Sequence, residues 1–142
     1  MSGSFVVETG QKLPERILGP LTQADVLRFA GACGDFNPLH YDTELARRAG
    51  FDAPIAMGQM TAGIVAAWIA DWCGVERLAD FEVRFVAPVL VGDTITLTGE
   101  IADVASGDDG REVARLTVVA AKGETVVLKG RASAVLAPAM PG

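Results

Sequence analysis

The second half of the chain alternates apolar and polar residues with a period of two, the pattern of β-strands that bury one face. The alternation runs through 81–86, 94–98 and 114–118, and residues 126–128 and 132–135 form one last strand. Turn-forming residues separate these runs, at Gly92-Asp93, 106–110 and 122–124. The pattern predicts a meander of long antiparallel strands from residue 80 onward.

The most hydrophobic stretch of the first half is Gly58–Cys73, which carries no charge before Asp71. A helix that is apolar on nearly every face is a buried helix. About four turns are also too few to cross a bilayer. We therefore predict a central buried helix over this range.

Two shorter helices are predicted ahead of the central one. Residues 23–32 follow a capping-box pattern that begins at Thr22, and the helix ends at Gly34. Residues 44–49 follow two possible N-caps, Asp42 and Thr43, and precede Gly50. Residues 5–18 are interrupted by glycine and proline and indicate only short extended pieces.

One buried helix together with antiparallel strands favours an α+β domain in which a sheet curls around the helix. A chain of 142 residues is long enough for one domain with a substantial core. We expect a single domain over residues 1–142, with 137–142 as a frayed tail. The sheet covers only one side of the helix, so we also expect subunits to pair.

Composition narrows the possible partners. The net charge of −6 argues against nucleic acid, which requires a basic surface. No apolar run is long enough to span a membrane, and the first residues lack the features of a signal peptide. The expectation is a cytoplasmic protein that binds neither nucleic acid nor membrane.

The two cysteines and the one histidine do not indicate a metal site. Cys33 and Cys73 fit no metal-binding spacing, and with a single histidine there is no cluster of soft ligands. Each cysteine lies in an apolar helical context, so we expect two buried thiols.

The only histidine, His40, lies five residues after Asp35 in an irregular stretch. Pro38 has no amide proton and biases Asn37 towards extended geometry, so we expect His40 to lie outside any helix. One interpretation is a site that presents two reactive side chains from a loop. The other is a plain turn, in which Asp35 and Asn37 bond their own backbone. The local pattern alone does not choose between them.

A family resemblance favours the first interpretation. Gly34-Asp35-Phe36-Asn37-Pro38-Leu39-His40, followed by Asp42, Ala46, Phe51, Pro54-Ile55 and Gly58, resembles the MaoC-like, or R-specific, enoyl-CoA hydratase family. The resemblance extends from about Leu21 to Leu136 and includes the strand entry at 89–94. It implies the hotdog fold, in which a long sheet wraps a central helix.

The resemblance also implies an activity, the addition of water to a trans-2-enoyl thioester to give a (3R)-3-hydroxyacyl thioester. CoA is the expected carrier, and an acyl carrier protein remains the alternative. Asp35 and His40 would activate the water, and the N–H of Gly58 would hold the thioester oxygen. Asn37 would support the loop, and Asp42 would cap a helix. No cofactor is implied, because the acyl-CoA is itself the substrate, and the expected assembly is a homodimer or a heteromer with a related hotdog chain.

Two departures bear on the substrate. Members commonly have His-Gly-Met where this chain has Met57-Gly58-Gln59, and some have serine in place of Ala66.

Candidate cations for the CoA phosphates are Arg47, Arg48, Arg84 and Lys129. Two alternatives remain open: a hotdog acyl-CoA thioesterase, and one subunit of a heteromeric hydratase.

Overall fold

A computed structural model describes residues 5–136, so the expected fraying of 137–142 lies outside the described part of the chain. The helices are α1 (Gln23–Cys33), α2 (Thr43–Arg48) and α3 (Gly58–Cys73), with 3-10 turns at Pro38–His40 and Val75–Arg77. The strands are β1 (Arg16–Leu18), β2 (Leu78–Phe85), β3 (Ile95–Ser106), β4 (Glu112–Lys122) and β5 (Thr125–Val135).

The strands form one antiparallel sheet in the order β1-β3-β4-β5-β2. The predicted meander is confirmed for β3 to β5 and is wrong for β2, which pairs with β5 at the far edge. The segment between β2 and β3 explains the difference, because its backbone hydrogen bonds go to other parts of the chain and not to β3. Val86 donates to Val127, Val91 to Pro54 and Gly92 to Leu21, which carries the chain across the molecule before β3 begins.

Helix α3 packs against this sheet, and its backbone comes nearest to β2 and β5. Trp68 is buried, and its indole N–H donates to the carbonyl of Pro14 at 2.9 Å. Two glycines, Gly99 and Gly130, flank Val118 in the cross-strand register. A Cβ on Gly99 would lie 2.9 Å from a methyl carbon of Val118 and 3.3 Å from the Trp68 ring. The missing side chains therefore make room for the central contact between helix and sheet.

The prediction that α3 is buried holds for one side of the helix only. Val65, Ile69 and Cys73 are buried, whereas Gly63 and Ala67 are exposed on the opposite side. No described residue covers that strip of small side chains. The expected pairing of subunits stays a prediction. None of the helices within residues 5–136 has the length and hydrophobicity that a bilayer crossing requires.

The cysteines differ from each other. Cys73 is buried as expected, and burial raises the pKa of its thiol. Cys33 is exposed, so that prediction is wrong. Helix α1 buries only Val26 and Ala30, and residues 31–34 at its end are all exposed. Helical spacing placed Cys33 on the buried face, but the helix ends where the cover ends.

The two glycines that flank Val118 allow a test of the packing in the sheet. Gly130→Ala would bring a Cβ within 2.8 Å of a Val118 methyl carbon, so we expect a loss of about 1–3 kcal/mol in the free energy of unfolding. Urea titration measures this loss, and adding Val118→Ala should recover part of it. The matched control is Gly31→Ala in α1, where a Cβ meets nothing within 4 Å. Gly31→Ala should be neutral or stabilising by up to about 1 kcal/mol. Equal stability of the two variants would contradict this account of the core.

Candidate active site

The site begins where α1 ends. Thr22 and Asp25 form the predicted capping box at the start of the helix. At its other end Gly34 adopts a left-handed conformation with φ of 73°, and the N–H of Asp35 donates to the carbonyl of Ala30 at 3.0 Å. This termination turns the chain away from the helix axis. Asp35 is thereby held at a fixed point beside the last turn.

Asn37 organises the turn between the two candidate catalytic residues. Its side-chain oxygen accepts from the N–H of Leu39 at 3.0 Å, and its own N–H donates to a carboxylate oxygen of Asp35 at 3.2 Å. These local bonds fit the supporting role expected for Asn37. Asp42 caps α2 through the N–H of Leu45, as predicted.

Pro38 acts differently from the expectation. His40 does lie on a helix, as the last residue of the 3-10 turn Pro38–His40. Pro38 occupies the first position of that turn, where a missing N–H costs nothing and a fixed φ is favourable. Pro38 thus starts the 3-10 turn that carries His40. The expectation that Pro38 keeps His40 outside any helix is wrong.

His40 is one of two buried polar residues in the described chain, with 7% of its surface exposed. Nδ1 lies 2.7 Å from the carbonyl oxygen of Ile55, and Nε2 lies 3.2 Å from Oδ2 of Asp35. The backbone carbonyl of His40 accepts from the Gln23 side chain at 2.7 Å. A carbonyl can only accept, so Nδ1 carries a proton, and Nε2, the nitrogen beside Asp35, is the one at which a proton can be gained or lost.

The segment that holds the ring also leads into α3. Ile55 donates its N–H to the carbonyl of Leu39 at 2.9 Å, so both the N–H and the carbonyl of Ile55 bind the 3-10 turn Pro38–His40. The residues on either side of Ile55 bind a different segment. The N–H of Ala56 donates to the carbonyl of Val89 at 2.8 Å, and the N–H of Val91 donates to the carbonyl of Pro54 at 2.9 Å. Helix α3 begins three residues after Ile55, at Gly58, which limits the separation of their Cα atoms to about 11 Å.

The N-terminus of α3 has no cap. The N-cap residue, Met57, is buried and makes no side-chain hydrogen bond to the helix. Within residues 5–136 no group accepts from the N–H of Gly58 or of Gln59. Free N–H groups at a helix N-terminus, with the helix dipole behind them, favour an oxygen that carries negative charge.

A cavity of about 270 Å³ opens beside this N-terminus. Its walls are mostly apolar and comprise Ala56, Gly58, Thr61, Phe85, Val86, Ala87, Pro88, Val89 and Val127. The Phe85 ring lies against Gly58, because a Cβ there would be 3.0–3.3 Å from three of its ring carbons. Asp35 and His40 are not part of this wall. The link between the Asp35–His40 dyad and Gly58 is therefore the backbone segment 55–57, which binds His40 at one end and enters α3 at the other.

The candidate phosphate-binding cations lie in two places. Arg47 and Arg48 are on α2, where Arg48 pairs with Glu44. Arg84 and Lys129 face each other across β2 and β5. Like charges directly opposite each other destabilise a sheet, and no carboxylate of the described chain lies within 4.0 Å of either cation. This second pair is therefore the less neutralised one.

Three groups that hold or line the candidate site were not predicted from the sequence. The carbonyl of Ile55 gives no sequence signal, since every residue has one. The same holds for the Gln23 contact, which joins residues 17 positions apart. Thr61 did give a signal, because it is a polar residue within an apolar helix, three residues after Gly58.

Comparison with known proteins identifies the family. The sequence matches the family described as "MaoC like domain" over residues 4–123. It is 32% identical over 123 residues to 3-hydroxybutyryl-CoA dehydratase from Methylorubrum extorquens, which covers 84% of this chain and 76% of the relative. The chain belongs to the MaoC-like family.

Solved structures agree with the MaoC-like assignment. The (R)-hydratase from A. caviae involved in PHA biosynthesis matches with a TM-score of 0.80 and 28% identity, over 94% of this chain and 99% of that one. The ChsH1-ChsH2 complex from Mycobacterium tuberculosis also reaches 0.80, at 22% identity over 93% of this chain and 100% of that one, and shows the fold alone. The hotdog fold expected from the sequence is confirmed. Several curated relatives are longer, and this chain spans 10% to 33% of their length.

The orientation of His40 in this MaoC-like chain can be measured directly. We expect the neutral ring to be the Nδ1–H tautomer, because the 2.7 Å contact with the Ile55 carbonyl requires a donor. With one histidine in the chain, ¹⁵N NMR of the imidazole of tag-free protein is assigned without ambiguity. Gln23→Ala, which removes the bond to the His40 carbonyl, should leave the tautomer unchanged. A neutral ring protonated at Nε2 would disprove the assignment.

Proposed function

We propose that this chain catalyses the (R)-specific hydration of a trans-2-enoyl thioester carried on CoA to a (3R)-3-hydroxyacyl thioester, together with the reverse dehydration. Family membership and the names of its relatives make the chain an enoyl-CoA hydratase or a 3-hydroxyacyl dehydratase. The observation that carries the proposal is the buried His40, whose Nε2 faces Asp35 at 3.2 Å. The R configuration draws support from relatives named as (R)-specific hydratases.

The dyad supplies the base for the first half of the reaction. A water that contacts both Nε2 and the Asp35 carboxylate loses a proton to His40 while its oxygen attacks C3 of the enoyl chain. The ring then becomes an imidazolium, with Nδ1 still donating to Ile55 and Nε2–H directed at Asp35. The carboxylate stabilises that positive charge. The same pair returns a proton to C2, so the hydroxyl and the hydrogen arrive from one face of the substrate.

The second half of the site stabilises negative charge. As water adds to C3, charge develops on the thioester oxygen and must be met by donors that are already in place. The unpaired N–H of Gly58 at the start of α3 is the donor we assign. The absence of a Cβ lets the oxygen approach the backbone closely.

Subunit pairing is part of the proposal. The exposed strip of α3 that contains Gly63 and Ala67 has no cover from residues 5–136, and β2 lies at the edge of the sheet. Structural neighbours include complexes of different hotdog chains. We propose that this chain pairs either with a second copy or with a related hotdog chain, and that it supplies the dyad in either case. An active homodimer would have twice the chain mass of 14.8 kDa by light scattering.

The test is the product formed from a short trans-2-enoyl-CoA. Purified protein should give 3-hydroxyacyl-CoA, resolved as the R isomer by chiral chromatography. His40→Ala and Asp35→Asn should each lower kcat by about 10²–10⁴-fold, the range of a general acid–base contribution. Asp35→Asn should keep the melting temperature of the wild type, whereas His40→Ala removes a buried ring and its bond to Ile55 and should lower it while the protein stays folded. The control Asp108→Asn, an exposed carboxylate in the β3–β4 turn, should retain full activity.

Each alternative predicts a different result. A hotdog thioesterase would release free CoA without hydroxyacyl-CoA. A subunit of a heteromeric hydratase would be inactive alone and would gain activity with its partner chain. Near-normal hydration by both dyad variants would rule out the assigned mechanism.

A further inference from the structure

We propose that the hydroxyl of Thr61 is a second donor to the thioester oxygen, beside the N–H of Gly58. This inference rests on the proposed hydration of an enoyl thioester and adds a residue to its binding site. Thr61 lies in the first turn of α3 and lines the cavity that also exposes Gly58.

Burial sets Thr61 apart. It is 3% exposed, and His40 is the only other polar residue buried in the described chain. Burying a hydroxyl without a hydrogen-bond partner is unfavourable, so such groups are normally paired. The Thr61 side chain makes no hydrogen bond within residues 5–136, and the Met57 carbonyl receives the backbone N–H of Thr61 at 3.4 Å.

The hydroxyl is nevertheless open on one side. Within the described chain, no buried side-chain oxygen or nitrogen is both sealed from solvent and without a partner. An unbonded Thr61 oxygen must therefore reach an accessible surface, and the surface that Thr61 lines is the cavity at the N-terminus of α3. A ligand in that cavity would complete its hydrogen bonding.

The position within α3 aims the hydroxyl at the assigned oxyanion position. Thr61 is three residues after Gly58, and residues at that spacing share a helix face. Helical Cα–Cβ bonds tilt towards the N-terminus, so the side chain of Thr61 leans over the turn that begins at Gly58. One oxygen in the cavity can accept from both donors.

The chemistry of the wall selects a carbonyl oxygen. Apart from Thr61 and the backbone of the helix start, the lining side chains are aliphatic or aromatic. In such surroundings a hydrogen bond is stronger than in water, and a developing negative charge on the accepting oxygen strengthens it further. Thr61 therefore contributes most in the transition state, and its removal should lower kcat more than it raises KM.

The experiment compares Thr61→Val, which keeps the shape and removes the hydroxyl, with Thr61→Ser, which keeps the hydroxyl. Thr61→Val should lower kcat by about 100-fold, as for the loss of one oxyanion donor. Thr61→Ser should stay within about threefold of wild type, because its hydroxyl is retained. Thr98→Val, on the exposed face of β3, is the matched control and should retain full activity.

Two further readouts separate a donor from a structural residue. The carbonyl stretching frequency of ¹³C-labelled butanoyl-CoA, which cannot be hydrated, should fall on binding to wild type and to Thr61→Ser. The fall should be smaller with Thr61→Val and with Thr61→Ala, the second variant without a hydroxyl. The melting temperature of Thr61→Val should equal or exceed that of wild type, because the buried hydroxyl has no internal partner to lose.

The inference is overturned if Thr61→Val keeps its kcat and the full carbonyl shift. It is also overturned if Thr61→Val is strongly destabilised, which would reveal a structural partner for the hydroxyl. A wild-type protein that hydrates no enoyl-CoA would instead refute the proposed function. The carbonyl frequency of the bound saturated thioester would still test Thr61 in that case.

Discussion

The backbone of one residue, Ile55, holds the candidate site together. Its N–H and carbonyl bind the turn that carries His40, at 2.9 and 2.7 Å, while the groups on either side of it bind the segment 89–91. One main-chain bond to Leu39 and one bond to the His40 ring thus fix the turn to the body of the protein. Because Ile55 also leads directly into α3, the same short segment sets the position of the histidine and the start of the helix. Groups fixed in this way need little reorganisation during reaction.

The site also divides the electrostatic work between two local structures. Around His40, a carbonyl accepts from one ring nitrogen and a carboxylate oxygen lies 3.2 Å from the other. At Gly58, the uncapped helix start favours an oxygen that gains negative charge. Apolar residues line most of the cavity beside this helix start. The two halves therefore suit a reaction in which a proton moves to a base while charge appears on a thioester oxygen.

The sequence predicted the α+β class and the bounds of α3, because both depend on local periodicity. It predicted the Asp35–His40 pair through the resemblance to a family, since the local motif also fitted a plain turn. It did not predict that β2 joins β5, because bonds of the connection to Leu21, Pro54 and Val127 decide that, and these are long-range contacts. Cys33 was misjudged because periodicity reports which face points inward but not where the cover of that face ends. The Ile55 carbonyl could not be found at all, since a backbone acceptor has no side-chain signature.

The central claim is that one dyad handles both the water and the proton on a single face of the enoyl thioester. Hydration of a trans-2-enoyl-CoA in deuterium oxide, with the product analysed by NMR, tests this most directly. The account predicts a single (3R) product with one deuterium at C2, placed by syn addition relative to the new hydroxyl. A (3S) product, anti addition or a mixture of C2 epimers formed by the enzyme would contradict it.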